Sequence, residues 1–246
     1  MPPVHGSKAK LFWGGFELTS FAREAGSEGT AEVADTSTFG KTSKTYIPGL
    51  KDGTLSAAGI YEAQAGASAQ VLEALLATAD TPVVHLPAGD ALGALGRALL
   101  AIETQHSVQS PVDDVVAWSA AAQSSVGVEP VVVLHPSQNE ALTNVALNGT
   151  GVDNAASTAL GLSAYLVVGA ISGTGNGTVK VQHSVDNSVW VDLITFDVVT
   201  AASDNTSQRK KVSGTVNRYL RFTASDDVAG PLNAVFLVVA SRNPGN

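Results

Sequence analysis

Five histidines, His5, His85, His106, His135 and His183, are the side chains best suited to ligate a metal or carry a proton. They stand singly, with no His-x-His or His-x-x-x-His spacing, so the pattern does not present two imidazoles to one ion. His183-Ser184-Val185-Asp186 gathers the residue types of a hydrolytic triad. Neighbours on a strand point to opposite faces, however, and no Gly-x-Ser-x-Gly elbow accompanies them. Asp113-Asp114 offers paired carboxylates. They too diverge on a strand, and no partner acid lies at a defined offset for general acid–base work. The alternate glycines of Gly173–Gly177 are followed by neither a helix nor a Lys-Ser/Thr pair, which a phosphate cradle needs, and read as a hairpin turn. Asn148, Asn176 and Asn205 each open an Asn-x-Ser/Thr triplet, read as coincidence without a secretory signal. The sequence therefore nominates no catalytic, cofactor-binding or metal-ligating residue, and an enzyme such as a carboxylate-pair glycosidase has nothing to carry it.

Composition narrows the classes further. The chain has 246 residues, enough for one large or two ordinary domains, and its apolar content supports a core. It contains 0 cysteines, which removes disulfides, thiolate catalysis and Cys-type zinc sites together. The longest apolar runs, Val131–Leu134 and Tyr165–Ile171, fall far short of the roughly 20 residues of a membrane-spanning helix. The N-terminal MPPVHGSKAK lacks the apolar core of a secretory signal. Formal charge is −8 and uneven: residues up to Pro136 carry 7 basic and 14 acidic side chains, and the remainder 7 and 8. An acidic first block is a poor grip for a phosphate backbone.

The elements that must position these groups are mainly strands. Lys10–Phe21 alternates, with Phe12, Phe16 and Leu18 on one face and Leu11, Trp13 and Glu17 on the other. A polar loop over Gly26–Lys44, ordered across Asp35–Lys44, leads through Ile47-Pro48-Gly49-Leu50 into a strand at Gly53–Tyr61, with Leu55, Ala57, Gly59 and Tyr61 on one face. One helix is expected at Ser68–Thr78, where Val71, Leu72, Leu75 and Leu76 have helical spacing and Ser68 suits the N-cap. Strands follow at Val83–Leu86, Arg97–Gln105, Val112–Ala122 and Val131–Leu134. Pro136–Gly161, rich in Asn, Ser, Thr and Gly, reads as a linker running into a second domain. Six further strands are expected at Leu162–Ile171, Thr178–Val185, Val189–Phe196, Gln208–Ser213, Arg218–Ala224 and Ala234–Ala240, spaced as in a β-sandwich. The fold class is mainly β: an N-terminal sandwich or barrel-forming domain (1–136) with one flanking helix, a linker (137–143), and a C-terminal β-sandwich (144–246).

The order Phe39-Gly40, Pro48-Gly49-Leu50, Asp52-Gly53 and then an alternating strand resembles the major tail tube proteins of long-tailed bacteriophages. The similarity extends over most of Lys8–Pro136. It implies a virion protein, made in the bacterial host cytoplasm, that self-assembles into hexameric rings stacked as a hollow tube. Tape measure, tail tip and terminator proteins would be its partners, with no cofactor and no membrane. DNA would pass through without specific binding. The loop would reach a neighbouring subunit with Thr36, Phe39, Ile47 and Leu50 as buried anchors, the alternative being a loop packed on its own sheet. Asp113 and Asp114 are candidates to face the lumen, and stand equally as outer-wall residues.

The second block looks like an accessory sandwich of the immunoglobulin-like or galactose-binding-like kind, carried by Val179-x-Val181-Gln182-His183-Ser184, Trp190-Val191-Asp192-Leu193 and Arg218-Tyr219-Leu220-Arg221. It would project from the tube and either hold host surface glycans or stiffen and space the wall. Trp190 reads as a core residue or as a sugar-stacking platform. The rival to a tube subunit is a carbohydrate-binding adhesion protein on a virion or cell.

Overall fold

The computed structural model describes residues 5–64, 66–227 and 232–242. The expected run Lys10–Phe21 is broken into β1 (Lys10–Trp13) and β2 (Phe16–Glu17) at Gly14-Gly15. A Cβ on Gly15 would fall 1.8 Å from the backbone of Asn205, so this turn meets the second half of the chain only as glycine. Leu11, Phe12 and Trp13 are all buried, with Phe12 on the face opposite Leu11 and Trp13 as the alternation predicts. The reason is that β1 is covered on both faces: Leu11 and Trp13 enter one core and Phe12 another.

β3 (Ala22–Asp35) and β4 (Tyr46–Ile60) form a long antiparallel hairpin. The polar loop expected from Gly26 is therefore strand as far as Asp35. Its sequence, with small and charged residues throughout, lacks alternation because most of the hairpin is exposed on both faces. In the inner part of β4, Leu55, Ala57 and Gly59 are buried as expected. The helix α1 (Ser68–Leu75) stops short of Thr78. Its N-cap is Ala67, with no side-chain cap bond, and Ser68 lies buried one position inside. β5 (Thr81–Leu86) and β6 (Leu95–Gln109) follow. β7 (Ala117–Ser124) begins five residues later than expected, leaving Val112–Val116 in a connecting loop. β8 (Glu129–Leu142) runs on through most of 137–143, so the stretch expected as a linker is strand. Its polar composition reflects a partly exposed strand end rather than a break.

In the second half, β9 (Leu147–Asn148) and β10 (Val152–Asp153) are short. β11 (Leu162–Ser172), β12 (Gly177–Ser184), β13 (Val191–Thr195), β14 (Thr206–Val212), β15 (Tyr219–Asp226) and β16 (Leu232–Ser241) match the six expected strands within a few residues.

These strands make an 11-stranded sheet, with the path β14-β11-β16-β8-β6-β5-β1-β2, in which β7 joins β6 to β4 and β4 joins β3. A 5-stranded sheet, β10-β15-β12-β13 with β9 on β15, faces part of it. Between the two lies a sandwich core of Leu134, Leu166, Val168, Val181, Phe222 and Phe236 among others. The opposite faces of β8, β11 and β16 send Val131, Val133, Tyr165, Val167, Leu237 and Val239 into a second core with Phe12, Val84 and Leu86. A third core, under α1, gathers Trp13, Leu55, Val71, Leu72, Leu99 and Trp118. Among the described residues the fold is mainly β with one α-helix, as expected, and β8 ties the two halves into one sheet through β6 and β16.

A buried polar knot fixes where these strands meet. The Glu129 carboxylate, at the first residue of β8, accepts hydrogen bonds from Ser163 Oγ (2.6 Å), Tyr165 Oη (2.6 Å) and Arg209 Nη2 (2.7 Å). Burial and the neighbouring carboxylate push the Tyr165 phenol well above its ordinary range, so it remains a donor. Removing one partner strands a buried guanidinium, so Glu129→Ala should cost about 3–5 kcal/mol. At roughly 2–4 °C per kcal/mol for a chain of this size, thermal melting followed by circular dichroism reads that loss directly. An unchanged melting temperature would refute the role assigned to the knot.

Candidate interaction site

The β3–β4 hairpin is anchored at one end and free at the other. Thr54–Ile60 of β4 pairs with Gln123–Ala117 of β7 as well as with β3. Gln123 Nε2 bonds to Asp52 Oδ1 and, at 3.2 Å, to the Gly53 carbonyl, closing the anchored part. Gly59 is obligatory here, because a Cβ would lie 1.9 Å from the Phe21 carbonyl oxygen. Beyond Thr30↔Asp52 the two strands pair only with each other. At about 3.3 Å per residue this free ribbon extends roughly 20 Å before its tip.

The ribbon is exposed throughout, yet it is not a polar surface. Phe39 (109 % exposed), Leu50 (76 %), Val33, Ile47 and Tyr46 all lie on it. The register Val33↔Pro48 and Asp35↔Tyr46 puts Val33, Tyr46 and Pro48 on one face, with Ala34 and Ile47 on the other. A slip between Ala31 and Val33 leaves Gly49-Leu50 as a bulge. The tip is ordered by local bonds. Thr36 N donates to the Thr45 carbonyl (2.8 Å), Ser37 N to Asp35 Oδ1 (2.8 Å) and Thr45 N to Ser37 Oγ (3.0 Å). The bonds from Ser37 hold the Asp35 carboxyl below its usual range. Thr36, Phe39, Ile47 and Leu50 thus share one projecting arm, where none of them packs on the chain's own sheets.

The arm belongs to a sheet with an open face. Across β3-β4-β7-β6 the registers align Glu24, Ala58, Ser119 and Ser107 in one row. Gly26, Ser56, Ala121 and Gln105 form a second, and Glu28, Thr54, Gln123 and Ile102 a third. These rows face away from the Trp118 core and form a shallow concavity of about 430 Å³ at their centre. The surface is small, neutral or acidic, and no Lys or Arg occurs in the three rows. Asp113 and Asp114 are exposed on the loop between β6 and β7, outside these rows, with Asp114 Oδ1 accepting from Val115 N (2.7 Å). The acids in these rows are Glu24 and Glu28, hidden from sequence reasoning because β3 shows no alternation.

The remaining candidate residues lie apart from the arm. Trp190 is half-buried beside the five-stranded sheet and is not part of its core. The Arg221 guanidinium covers its ring at 4.4 Å, and Gly151 abuts its edge. Arg221 Nε is oriented by Gln182 Oε1 (2.8 Å), and Gln182 Nε2 donates to Asp192 (2.7 Å). Ser184 and Asp186 do meet (3.0 Å), but as a turn: Asp186 also accepts from Ser188 N and Val189 N, and these bonds hold its carboxyl well below the usual range. Among the described residues no group of three or more His, Asp or Glu converges as metal ligands do.

One group under α1 gave no signal in sequence. Glu103 is 1 % exposed, and neither carboxylate oxygen has a hydrogen-bond partner among the described residues. Burial, and then the nearby Glu73 carboxylate, push its pKa from 4.5 up to about 8.

No family model matches the sequence, and no curated protein does. Among solved structures the chain is similar to one from the virion of a native gene transfer agent particle, with TM-score 0.44 and 8% identity over 51% of this chain and 97% of that one. It is similar also to the SPP1 tail tube, with TM-score 0.41 and 14% identity over 51% and 78%. The SPP1 Dit hub protein aligns over 93% of this chain and 98% of its own, with TM-score 0.34 and 12% identity.

Glu103 makes stability depend on pH with a definite sign. Its folded pKa is raised, so the stability of the neutral form is complete below about 4.5 and is lost as pH rises through about 8. Glu103→Gln should therefore melt higher than the parent at alkaline pH, by a few degrees for each of about 1–3 kcal/mol recovered. The advantage should shrink as pH falls to 4.5. Parallel melting-temperature profiles for the two proteins would show the assignment to be wrong.

Proposed function

We propose that this chain is a structural subunit of a phage-type tail tube, whose copies join edge to edge into hexameric rings that stack around a channel for DNA. The carrying observation is the free arm. A two-stranded ribbon is at best marginal alone in water, and this one displays Val33, Phe39, Tyr46, Ile47 and Leu50. A second copy of the chain is the partner that covers it, with Thr36, Phe39, Ile47 and Leu50 as contacts in the interface.

Strand direction supports the same reading. The set β3-β4-β7-β6 is antiparallel at each step, so its two outer strands run in opposite directions. Among the described residues the outer side of β3 has no strand partner, and that of β6 has no ladder beyond Ala101. Copies related by rotation can then pair β3 of one with β6 of the next, antiparallel as within the chain, and close a barrel without edges. The open face of small residues with Glu24 and Glu28 would line the channel. Its sign matches that of DNA, and with no Lys or Arg in its three rows, Arg23 standing at the bulge beside Glu24, it offers few phosphate contacts, so DNA slides rather than binds. Under this reading Glu24 and Glu28 take the lining role first considered for Asp113 and Asp114.

The residues of 1–136 supply the ring-forming sheet, those of 144–246 the outward sandwich, and β8 serves both. The site of action is the virion tail, with tape measure, tip and terminator proteins as partners. The adhesion reading gains no support from Trp190, whose indole is already stacked against Arg221.

The test is electron microscopy of two variants beside the parent. Replacing Ala31–Lys51 by Asn-Gly shortens the hairpin to a tight turn, while Phe39→Asp with Leu50→Asp only recharges it. Both should stay folded, the double substitution within about 0.5 kcal/mol because its sites are exposed. Both should lose the hollow tubes that the parent forms. Tubes of normal yield from either variant would sink the arm's role, and virions whose tube lacked this chain would sink the proposal.

A further inference from the structure

The seat of α1 is built unlike the other cores. Among the described residues, eight buried side-chain polar atoms lack a hydrogen-bond partner, and six belong to the core that α1 closes: Trp13 Nε1, Ser68 Oγ, both oxygens of Glu103, His106 Nε2 and Trp118 Nε1. The register Glu103↔Ala122, His106↔Ala120 and Val108↔Trp118 turns the β6 side chains toward α1, beside Val71 and Leu72. Cores that stay closed rarely leave so many polar atoms unpaired in one place.

The chain leaving α1 touches the edge of β6. Leu76 bridges Glu103 in parallel, and Ala77 N donates to the Glu103 carbonyl at 3.0 Å. This contact lies beyond Ala101, where pairing of β6 with β5 ends. The fastening is light. The helix has eight residues and no side-chain N-cap, and it exits through Ala77 at φ 61°, a left-handed conformation that costs an alanine free energy. On the outside, Glu73 reaches His106 Nδ1 at 3.2 Å.

We propose that α1 is a latch over the outer edge of β6, closed in the single chain and lifted either by alkaline pH or by a strand of a second copy taking that edge. The second trigger rests on the ring reading above, and the first does not. The ionisable groups facing Glu103 are Glu73 on α1 and, through it, His106 on β6, while β7 and β1 bring Ala120, Ala122, Trp118 and Trp13. Glu103 is neutral until pH rises through about 8. The carboxylate then forms unpaired beneath the helix and beside the like charge of Glu73, and both effects favour lifting α1.

The chain has 0 cysteines, so single introduced thiols report cleanly. Ser68 is 0 % exposed on the inner face of α1, whereas Ser37 is exposed on the arm. The measurement is the ratio of labelling rates by an uncharged maleimide for Ser68→Cys over Ser37→Cys. It is made on unassembled protein, checked by electron microscopy, on both sides of the Glu103 transition; the Ser37→Cys rate corrects for thiolate formation. The ratio should rise about tenfold or more as the pH crosses that transition, and stay flat when Glu103→Gln is added. A flat ratio in the parent background overturns the latch, and so does a rise of equal size with and without the Glu103→Gln substitution. Should Ser68→Cys not fold, hydrogen exchange of residues 68–78 in the unmodified chain, corrected for intrinsic rate, gives the same comparison. A rising ratio with no tubes under any condition leaves the pH latch standing and rejects only the ring reading.

Discussion

Everything in this molecule hangs on β8. One edge of it is bonded to β6 and the other to β16, and its apolar centre is buried on both faces. Such a strand has no tolerance for slippage, because moving it by one residue would exchange the contents of two cores. The Glu129 knot stops that slip. A carboxylate that accepts from Ser163, Tyr165 and Arg209 is satisfied in one register and stranded in any other.

From that fixed strand the molecule divides by how completely it is covered. The second half is a closed sandwich whose facing sheets satisfy each other. The first half is left open in two ways, by an arm with apolar side chains and by strand edges that carry no further strand among the described residues. Soluble proteins usually blunt such edges with charge, bulges or cover. Here the bulge at Gly49-Leu50 and the contact of Ala77 with β6 do some of this locally. The rest of the open surface has the chemistry of an interface waiting for its other side.

The sequence made the buried half of this design legible and hid the exposed half. Strands β11, β12, β15 and β16 announce themselves through apolar runs or alternation, since their environments differ between faces or are apolar on both. The exposed hairpin has no such contrast, so Gly26–Asp35 reads as loop although it is strand. The polar end of β8 reads as a linker for the same reason. At the candidate site Phe39 and Leu50 are singled out by the resemblance rather than by periodicity, and the structure leaves both exposed on the arm. Glu24 and Glu28 give no signal beside the Asp113-Asp114 doublet, because a facing row appears only once the register is known. Glu103 offered no sign at all: an acid among polar neighbours in the sequence looks solvated until a helix is laid over it.

The passage of β8 through both halves has a consequence for descent. A sandwich hung on a tether can be gained, lost or exchanged between lineages by a single recombination near its linker. Here a crossover at 137 would cut a strand in the middle of its ladder and expose Val132, Leu134 and Leu142 from the sandwich core. The second half is thus a joint tenant of the sheet, and the two halves must be inherited together or redesigned together.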